Sequence, residues 1–556
     1  MHETITLGLS QNANHIATHL YNNQESHLSY KKGSSSNYDN LVYLTSTRNF
    51  QGTINYNPRA ILYELNGGIG ALGKFDYYGP EIRGMHEEER DEKIGKGSMQ
   101  NVDTFGESDD LFKPFPKIEK NSYQKALDSG SVKQGMLTVE NTKYWSDYNK
   151  LIYKPSSLNT LTDWVHDPAS DASFGHSRNG EQSKFSNYYV GVNEYNSKEN
   201  VDHTETFRSY LEDCDLFQGM NILTEVDSGW GGFTDSYLTE IKDEYFNNGG
   251  DSKYSFWNWA IYNNNLTMDL DSKLSRVKTT IALIKNSTLY FGVTGSPDYK
   301  KSSGIINQDN FKQSSLWHSS AVKSLLIDNL WTIGNQNSER ISMNQFESEL
   351  LRGNTSRNIV GDINIHSESK AVEDRIENMM IDVSRNQIND LYASAASEAS
   401  EVGSSGSKGN TESNPLDFTN EIYKPLKPSK YFSKSYIIPI NLGVDLAAKN
   451  KAQLSVQEPF PITEYNIMNP STITSNYTFP QDIIREPTSI YTEFGISSKP
   501  KDLLKDYKLF LQRTSKISNR GGYKYDNFDI DELVEDVNGL IEEYTYDWES
   551  EDEEWD

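Results

Sequence analysis

Cysteine is almost missing: Cys214 is the only one in 556 residues. An internal disulfide is therefore excluded, and a reducing compartment is the natural setting. Cys214 precedes an apolar run that reads as a strand, a place that suits a small buried residue better than a nucleophile. Positive charge is also scarce, with 53 Lys and Arg against 80 Asp and Glu and a net charge of −27. Direct binding to nucleic acid is not expected from such a chain, because its own carboxylates oppose contact with phosphates; anionic lipid is disfavoured for the same reason. No apolar run approaches the roughly 20 residues of a membrane-spanning helix. The first arginine is Arg48, and Glu3 sits where a cleavable mitochondrial presequence would be basic. Import by that route is not expected.

Motifs for common chemistries are equally thin. His15 and His19 share a helical face, but Ile16 stands where a metalloprotease has its glutamate and no third ligand follows, so no metal site is assigned. Trp317-His318-Ser319-Ser320 sets a histidine beside hydroxyls without the Gly-x-Ser-x-Gly elbow of a hydrolase. Gly68-Ile69-Gly70-Ala71-Leu72-Gly73 fits the dinucleotide pattern and follows a strand, yet Lys74 to Pro80 offers no helix to a pyrophosphate. Catalytic residues are assigned to none of these.

What the chain does contain is one strand, glycine turn and helix in succession. Cys214-Asp215-Leu216-Phe217-Gln218-Gly219 runs through an apolar stretch to Ser228-Gly229-Trp230-Gly231-Gly232-Phe233-Thr234, then to Leu238, Ile241 and Tyr245 at helical spacing. Thr234 or Asp235 is the expected helix cap. A glycine turn feeding a helix leaves unpaired N–H groups where phosphates bind. At the amino terminus Ile5, Leu7 and Leu9 alternate as a half-buried strand, and after Ser10-Gln11-Asn12 the set Ile16, Ala17, Leu20 and Tyr21 is helical. Tyr56 to Leu65, containing Pro58-Arg59-Ala60-Ile61-Leu62, reads as another strand.

These three segments, in this order, resemble tubulin: its amino-terminal strand, turn and helix, its Pro-Arg-Ala-Ile-Leu strand, and its Cys-Asp-x-x-Gln-Gly strand with nucleotide loop. Together with Met1-His2-Glu3 and Tyr144-Trp145-Ser146-Asp147-Tyr148 they resemble the Misato-like proteins more narrowly. The resemblance covers roughly residues 1 to 75 and 140 to 335. It implies an α/β, tubulin-like nucleotide-binding-type domain with insertions, followed by an α/β carboxyl-terminal part. It also implies a role in partitioning mitochondria and mitochondrial DNA at division. The expected location is the cytoplasm and the cytosolic periphery of mitochondria, with protein partners there or on the cytoskeleton, and self-association is left open.

The same resemblance implies a site for GTP between Gln11, Asn14 and the turn holding Gly229, Gly231, Gly232 and Thr234, with Mg²⁺ offsetting Asp227 and Asp235. Several tubulin glycines are replaced, by Ser10 and Ala13 in the first loop and by bulky Trp230 in the main one. The acidic residue of a third tubulin loop falls near Asn66. The Asn-x-Asp-x-x-Glu segment that completes hydrolysis in a neighbouring subunit has no clear copy, so enzymatic turnover is not expected. Three readings stand: a non-catalytic partitioning protein, a GTP-gated self-assembling protein, and a binding module whose glycines serve packing alone.

At 63.3 kDa the chain has room for two or more domains. Residues 1–80 and 141–335 read as tubulin-like segments around a charged insertion at 81–140. A polar insertion at 165–200 is expected to loop out. Residues 336–393 read as a connecting helical region and 394–414 as a Ser/Gly linker. The carboxyl-terminal part at 415–547 ends in an amphipathic helix from Ile530 to Tyr544, and the acidic tail occupies 548–556.

Overall fold

The computed structural model describes residues 2–28, 36–48, 54–72, 118–166, 176–177, 184–197, 203–246, 253–263, 268–295, 305–369, 415–425, 429–440, 460–468, 473–485, 488–521 and 529–545. The chain opens with β1 (Glu3–Leu9), α1 (Gln11–Ser26), the hairpin of β2 (Leu44–Arg48) and β3 (Ile54–Pro58), and β4 (Ala60–Asn66). It continues through α2 (Ser122–Asp128), β5 (Leu158–Val165), β6 (His176–Ser177), α3 (Tyr188–Tyr195), α4 (His203–Glu212) and β7 (Phe217–Glu225). Then come α5 (Gly229–Ile241), β8 (Ser255–Tyr262), α6 (Leu270–Lys285), β9 (Leu289–Thr294), α7 (Leu316–Asn335) and α8 (Met343–Leu351). The remainder holds β10 (Ile359–Val360), β11 (Asp362–Ser369), β12 (Leu416–Asp417), α9 (Asn420–Tyr423), β13 (Tyr431–Pro439), β14 (Ile462–Ile467), β15 (Thr488–Ser497), α10 (Pro500–Gly521) and α11 (Ile530–Glu543).

The main sheet has the order β10-β9-β8-β7-β1-β4-β5-β6 and is parallel except for β6. From β1 the chain crosses to β4 on one side and later returns to β7 on the other. Right-handed crossovers in opposite directions place α1 and α5 on opposite faces of the sheet. Helices therefore cover both faces, and β1 is buried at every residue instead of half-buried, its Thr4 and Thr6 included. A second sheet, β12-β11-β15-β13-β14, is mostly antiparallel and packs into the same apolar core through Phe494, Ile363 and Ile437. The α/β expectation holds for both parts.

Several boundaries move. Tyr56 to Leu65 is two strands, because β3 pairs with β2 and ends at Pro58, and β4 begins at Ala60 against β1. Part of the expected charged insertion is folded: α2 starts with a capping box at Asn121 and buries Tyr123 against Tyr148 and Trp317. Part of the polar insertion is folded too, since Tyr188, Gly191 and Tyr195 give α3 a face that packs on α5. The connecting region is helical only in α8 among the described residues; Ile363 and Ile365 alternate with polar residues and pair β11 with β15. The helix expected from Ile530 is α11, with Ile530, Leu533 and Val537 buried. The Ser/Gly linker and the acidic tail lie outside the described residues.

Candidate functional site

In an open parallel sheet, ligands bind beyond the carboxyl ends of the strands where the chain changes direction. Here that point lies between β1 and β7. Leu9 is level with Tyr63 on β4 and with Thr224 on β7, so Ser10, where the chain leaves β1, lies between Glu64 of β4 and Glu225 of β7. The sequence candidates meet there: Gln11 and Asn14 open α1, and Gly229, Gly231, Gly232 and Thr234 open α5. All six are buried.

Ser10 takes φ 127° and ψ 163°, a backbone region that is almost reserved for glycine. The position that is glycine in tubulins thus keeps its glycine-like shape. Ser10 offsets that strain by capping α1, its hydroxyl accepting from the Ala13 amide at 3.1 Å. Gln11, with its amide oriented to suit its neighbours, donates to Glu64 Oε2 at 2.6 Å and to the Gly68 carbonyl at 3.0 Å. Asn14 donates to the same Glu64 oxygen at 3.1 Å and to the Tyr63 carbonyl at 2.9 Å. Burial nevertheless pushes the Glu64 carboxyl up to about 8, against the pull of those donors. Opposite stands Lys323 of α7, buried, with Nζ 3.2 Å from Asn12 Oδ1. Burial lowers it to about 8, and the charge of Glu225 acts in the other direction.

The glycine turn departs from expectation. α5 begins at Gly229 with Ser228 as its N-cap residue, so neither Thr234 nor Asp235 caps it. Thr234 lies inside the helix, donating to the Trp230 carbonyl at 2.6 Å and meeting Thr224 across to β7 at 2.8 Å. None of Gly229, Gly231 and Gly232 is among the glycines with positive φ. They are needed for thinness instead. A Cβ on Gly232 would lie 1.9 Å from the Tyr188 carbonyl oxygen, one on Gly191 1.7 Å from that of Gly229, and one on Gly231 2.3 Å from Thr279 Cγ2. Helices α3 and α5 touch backbone to backbone, which only glycine permits.

The same approach occupies the start of α5. The Gly229 amide donates to the Phe185 carbonyl at 2.9 Å, and the Phe185 ring lies against Trp164 and Trp230. The two aspartates that flank the turn need no metal: Arg276 pairs with both oxygens of Asp227 at 2.5 and 2.7 Å, and Asp235 accepts from Tyr188 Oη at 2.5 Å and Asn286 Nδ2 at 2.7 Å. Among the described residues no group of three metal ligands is found. An aromatic wall and a spent amide at the start of α5 do not fit a triphosphate. Sequence reasoning missed Glu64, Lys323 and Phe185. The first two had a visible signal: Glu64 is the one charge inside an apolar strand, and Lys323 is the one cation inside a largely apolar helix.

The other candidates are structural. His15 Nδ1 meets Tyr148 Oη at 2.8 Å and His19 Nε2 meets the Trp317 carbonyl at 3.0 Å. His318 accepts the Lys312 amide at 3.1 Å. Cys214 is half-buried near Arg59, its thiol pushed up to about 11 by burial, so it is a poor nucleophile. No helix among the described residues is long and apolar enough to cross a membrane.

This arrangement has relatives. Residues 2–129 match the Misato Segment II tubulin-like domain, and residues 134–336 match the tubulin domain. Protein DML1 of Debaryomyces hansenii is 38% identical over the whole of both chains. The chain belongs to the Misato family. Protein DML1 of Scheffersomyces stipitis is 34% identical, covering 100% of this chain and 99% of the relative, and that of Candida albicans is 31% identical over the whole of both. The tubulin match closes with α7 at Gln336, so in this Misato chain the second sheet and α8 to α11 lie beyond it.

Proposed function

We propose that this chain is a non-enzymatic, tubulin-like protein that serves in partitioning the mitochondrial organelle and its DNA at division. It acts from the cytoplasm on the outer face of mitochondria, through protein contacts. The observation that carries the non-enzymatic part is the closure of the glycine turn, where the first amide of α5 is spent on the Phe185 carbonyl and the space over Gly229, Gly231 and Gly232 is taken by the Phe185 ring, Thr279 of α6 and the Tyr188 carbonyl of α3. A tubulin framework built this way works as a scaffold without a nucleotide cycle. The organelle follows from the resemblance to fungal Misato-like proteins. Depleting the protein from dividing cells tests it: mis-segregated mitochondria and daughters lacking mitochondrial DNA are expected. On isolated intact mitochondria the protein should be digested by added protease. Even inheritance after depletion, or protection until both membranes are opened, would contradict the proposal.

A GTP-gated, self-assembling protein with Mg²⁺ is the second reading. One observation favours it: Ser228 Oγ, at the N-cap of α5, is buried with no hydrogen-bond partner among the described residues. Sedimentation that depends on GTP would support that reading over the first.

A further inference from the structure

α10 is a basic helix on a strongly acidic protein. Lys505, Lys508, Leu509, Gln512, Arg513 and Lys516 are spaced by three and four and form one face. The opposite face, with Leu504, Tyr507 and Leu511, is buried. Leu509 is 50% exposed, and Arg513 and Lys516 are exposed. Among the described residues Lys508, Arg513 and Lys516 have no ion-pair partner, whereas the neighbouring lysines of α6 do: Lys273 meets Asp506 at 3.6 Å and Lys285 meets Asp536 at 2.6 Å. In a chain with a net charge of −27, these three cations around a leucine stand without an ion pair among the described residues.

A complement is in the sequence. Trp548-Glu549-Ser550-Glu551-Asp552-Glu553-Glu554-Trp555-Asp556 carries six carboxylates, two tryptophans and no cation. The described chain leaves α11 at Tyr544, whose hydroxyl accepts the Ile359 amide at 2.7 Å. Close by, Gly361 lies against Pro500, where an added Cβ would be 3.1 Å from Pro500 Cδ. The exit is therefore beside the first turn of α10. From Pro500 to Lys516 the helix runs ~24 Å. Residues 546–556, extended, span up to ~36 Å.

We propose that residues 548–556 dock in cis along the outward stripe of α10. Carboxylates of the segment meet Lys508, Arg513 and Lys516, and a tryptophan covers Leu509 and stacks on a neighbouring cation. The stripe is then presented to an outside acidic peptide only when the segment is displaced.

Carbodiimide cross-linking of the full-length protein at low salt, followed by peptide mapping, tests this. Lys508 and Lys516 should be joined to Glu549–Asp556 in the monomer-sized species, and the links should fade near 1 M salt, where the screening length is about 3 Å. In parallel, a labelled peptide of residues 546–556 should bind the chain truncated before Trp548, and the triple variant K508E/R513E/K516E of that chain should not bind it. The triple variant should keep its parent's cooperative melt, Arg513 and Lys516 being exposed and Lys508 partly exposed. Links to other lysines, links found only in a dimer-sized species, or peptide binding indifferent to the three charge reversals would overturn the proposal.

Discussion

The Gly229 amide donates to the Phe185 carbonyl at 2.9 Å, and this bond takes up the first of the amides that a tubulin-type helix would offer to phosphate. Phe185 leads directly into α3, so the bond and the helix contact of Gly191 and Gly232 are parts of one joint. The joint makes the glycine turn part of the packed core.

Gly191→Ala and Gly232→Ala should each destabilise the protein although alanine is the better helix former. The added methyl meets backbone oxygen, which cannot rotate away, and overpacking of that kind costs ~1–3 kcal/mol or more. Gly539→Ala in α11 is the control: nothing lies within 4 Å of its added Cβ. There the change should stabilise by ~0.5–1 kcal/mol. Thermal melts of the three variants check both signs.

Arg276→Met should cost ~3–5 kcal/mol, because it strands the Asp227 carboxylate in the interior. Asp227 is 5% exposed and Arg276 17% in their side chains. Converting both residues to apolar partners should recover much of the loss. A double-mutant cycle read by urea unfolding measures the coupling.

Glu64, whose folded carboxyl is raised from 4.5 to about 8, should contribute stability that falls as pH rises through that window, while His15, His19, His27 and His318, all lowered by burial, contribute in the opposite sense up to their ordinary range. For Glu64 the sign follows from linkage: across that window the folded state holds a proton that the unfolded chain has released, so its advantage is full below the window and is lost through it. Lys323, lowered from 10.5 to about 8, acts above that range, where stability should rise with pH. The difference between wild type and Glu64→Gln isolates this group: the wild type should lose stability relative to the variant as pH rises from about 4.5 to about 8, and the alkaline limb should be the same in both. Melting temperatures across pH 4.5 to 10 for the wild type and this variant separate the two groups.

Much of this was legible in the sequence, for identifiable reasons. Period-two and helical spacings found β1, β7, α1 and α11, and the order of the segments placed Gln11, Asn14 and the glycines at one switch point of the sheet. The joint itself was not legible. Phe185 and Tyr188 lie in a stretch whose Ser, Asn and Gly content reads as loop, and a glycine needed for thinness has the same letter as one needed for phosphate. Nor does a strand such as Ala60–Asn66 announce what burial does to its one carboxylate. β11 escaped because its apolar residues are few and its partner, β15, lies far along the chain.

The central claim is that this Misato-family chain keeps a tubulin framework without a nucleotide in its glycine turn. The direct measurement is the guanine nucleotide released on denaturing the freshly purified full-length protein, after preparation with GTP and Mg²⁺ present throughout. The account predicts none above the buffer background, both for the wild type and for a Ser228→Ala variant. Near-stoichiometric GTP or GDP from the wild type, lost in Ser228→Ala, would contradict it.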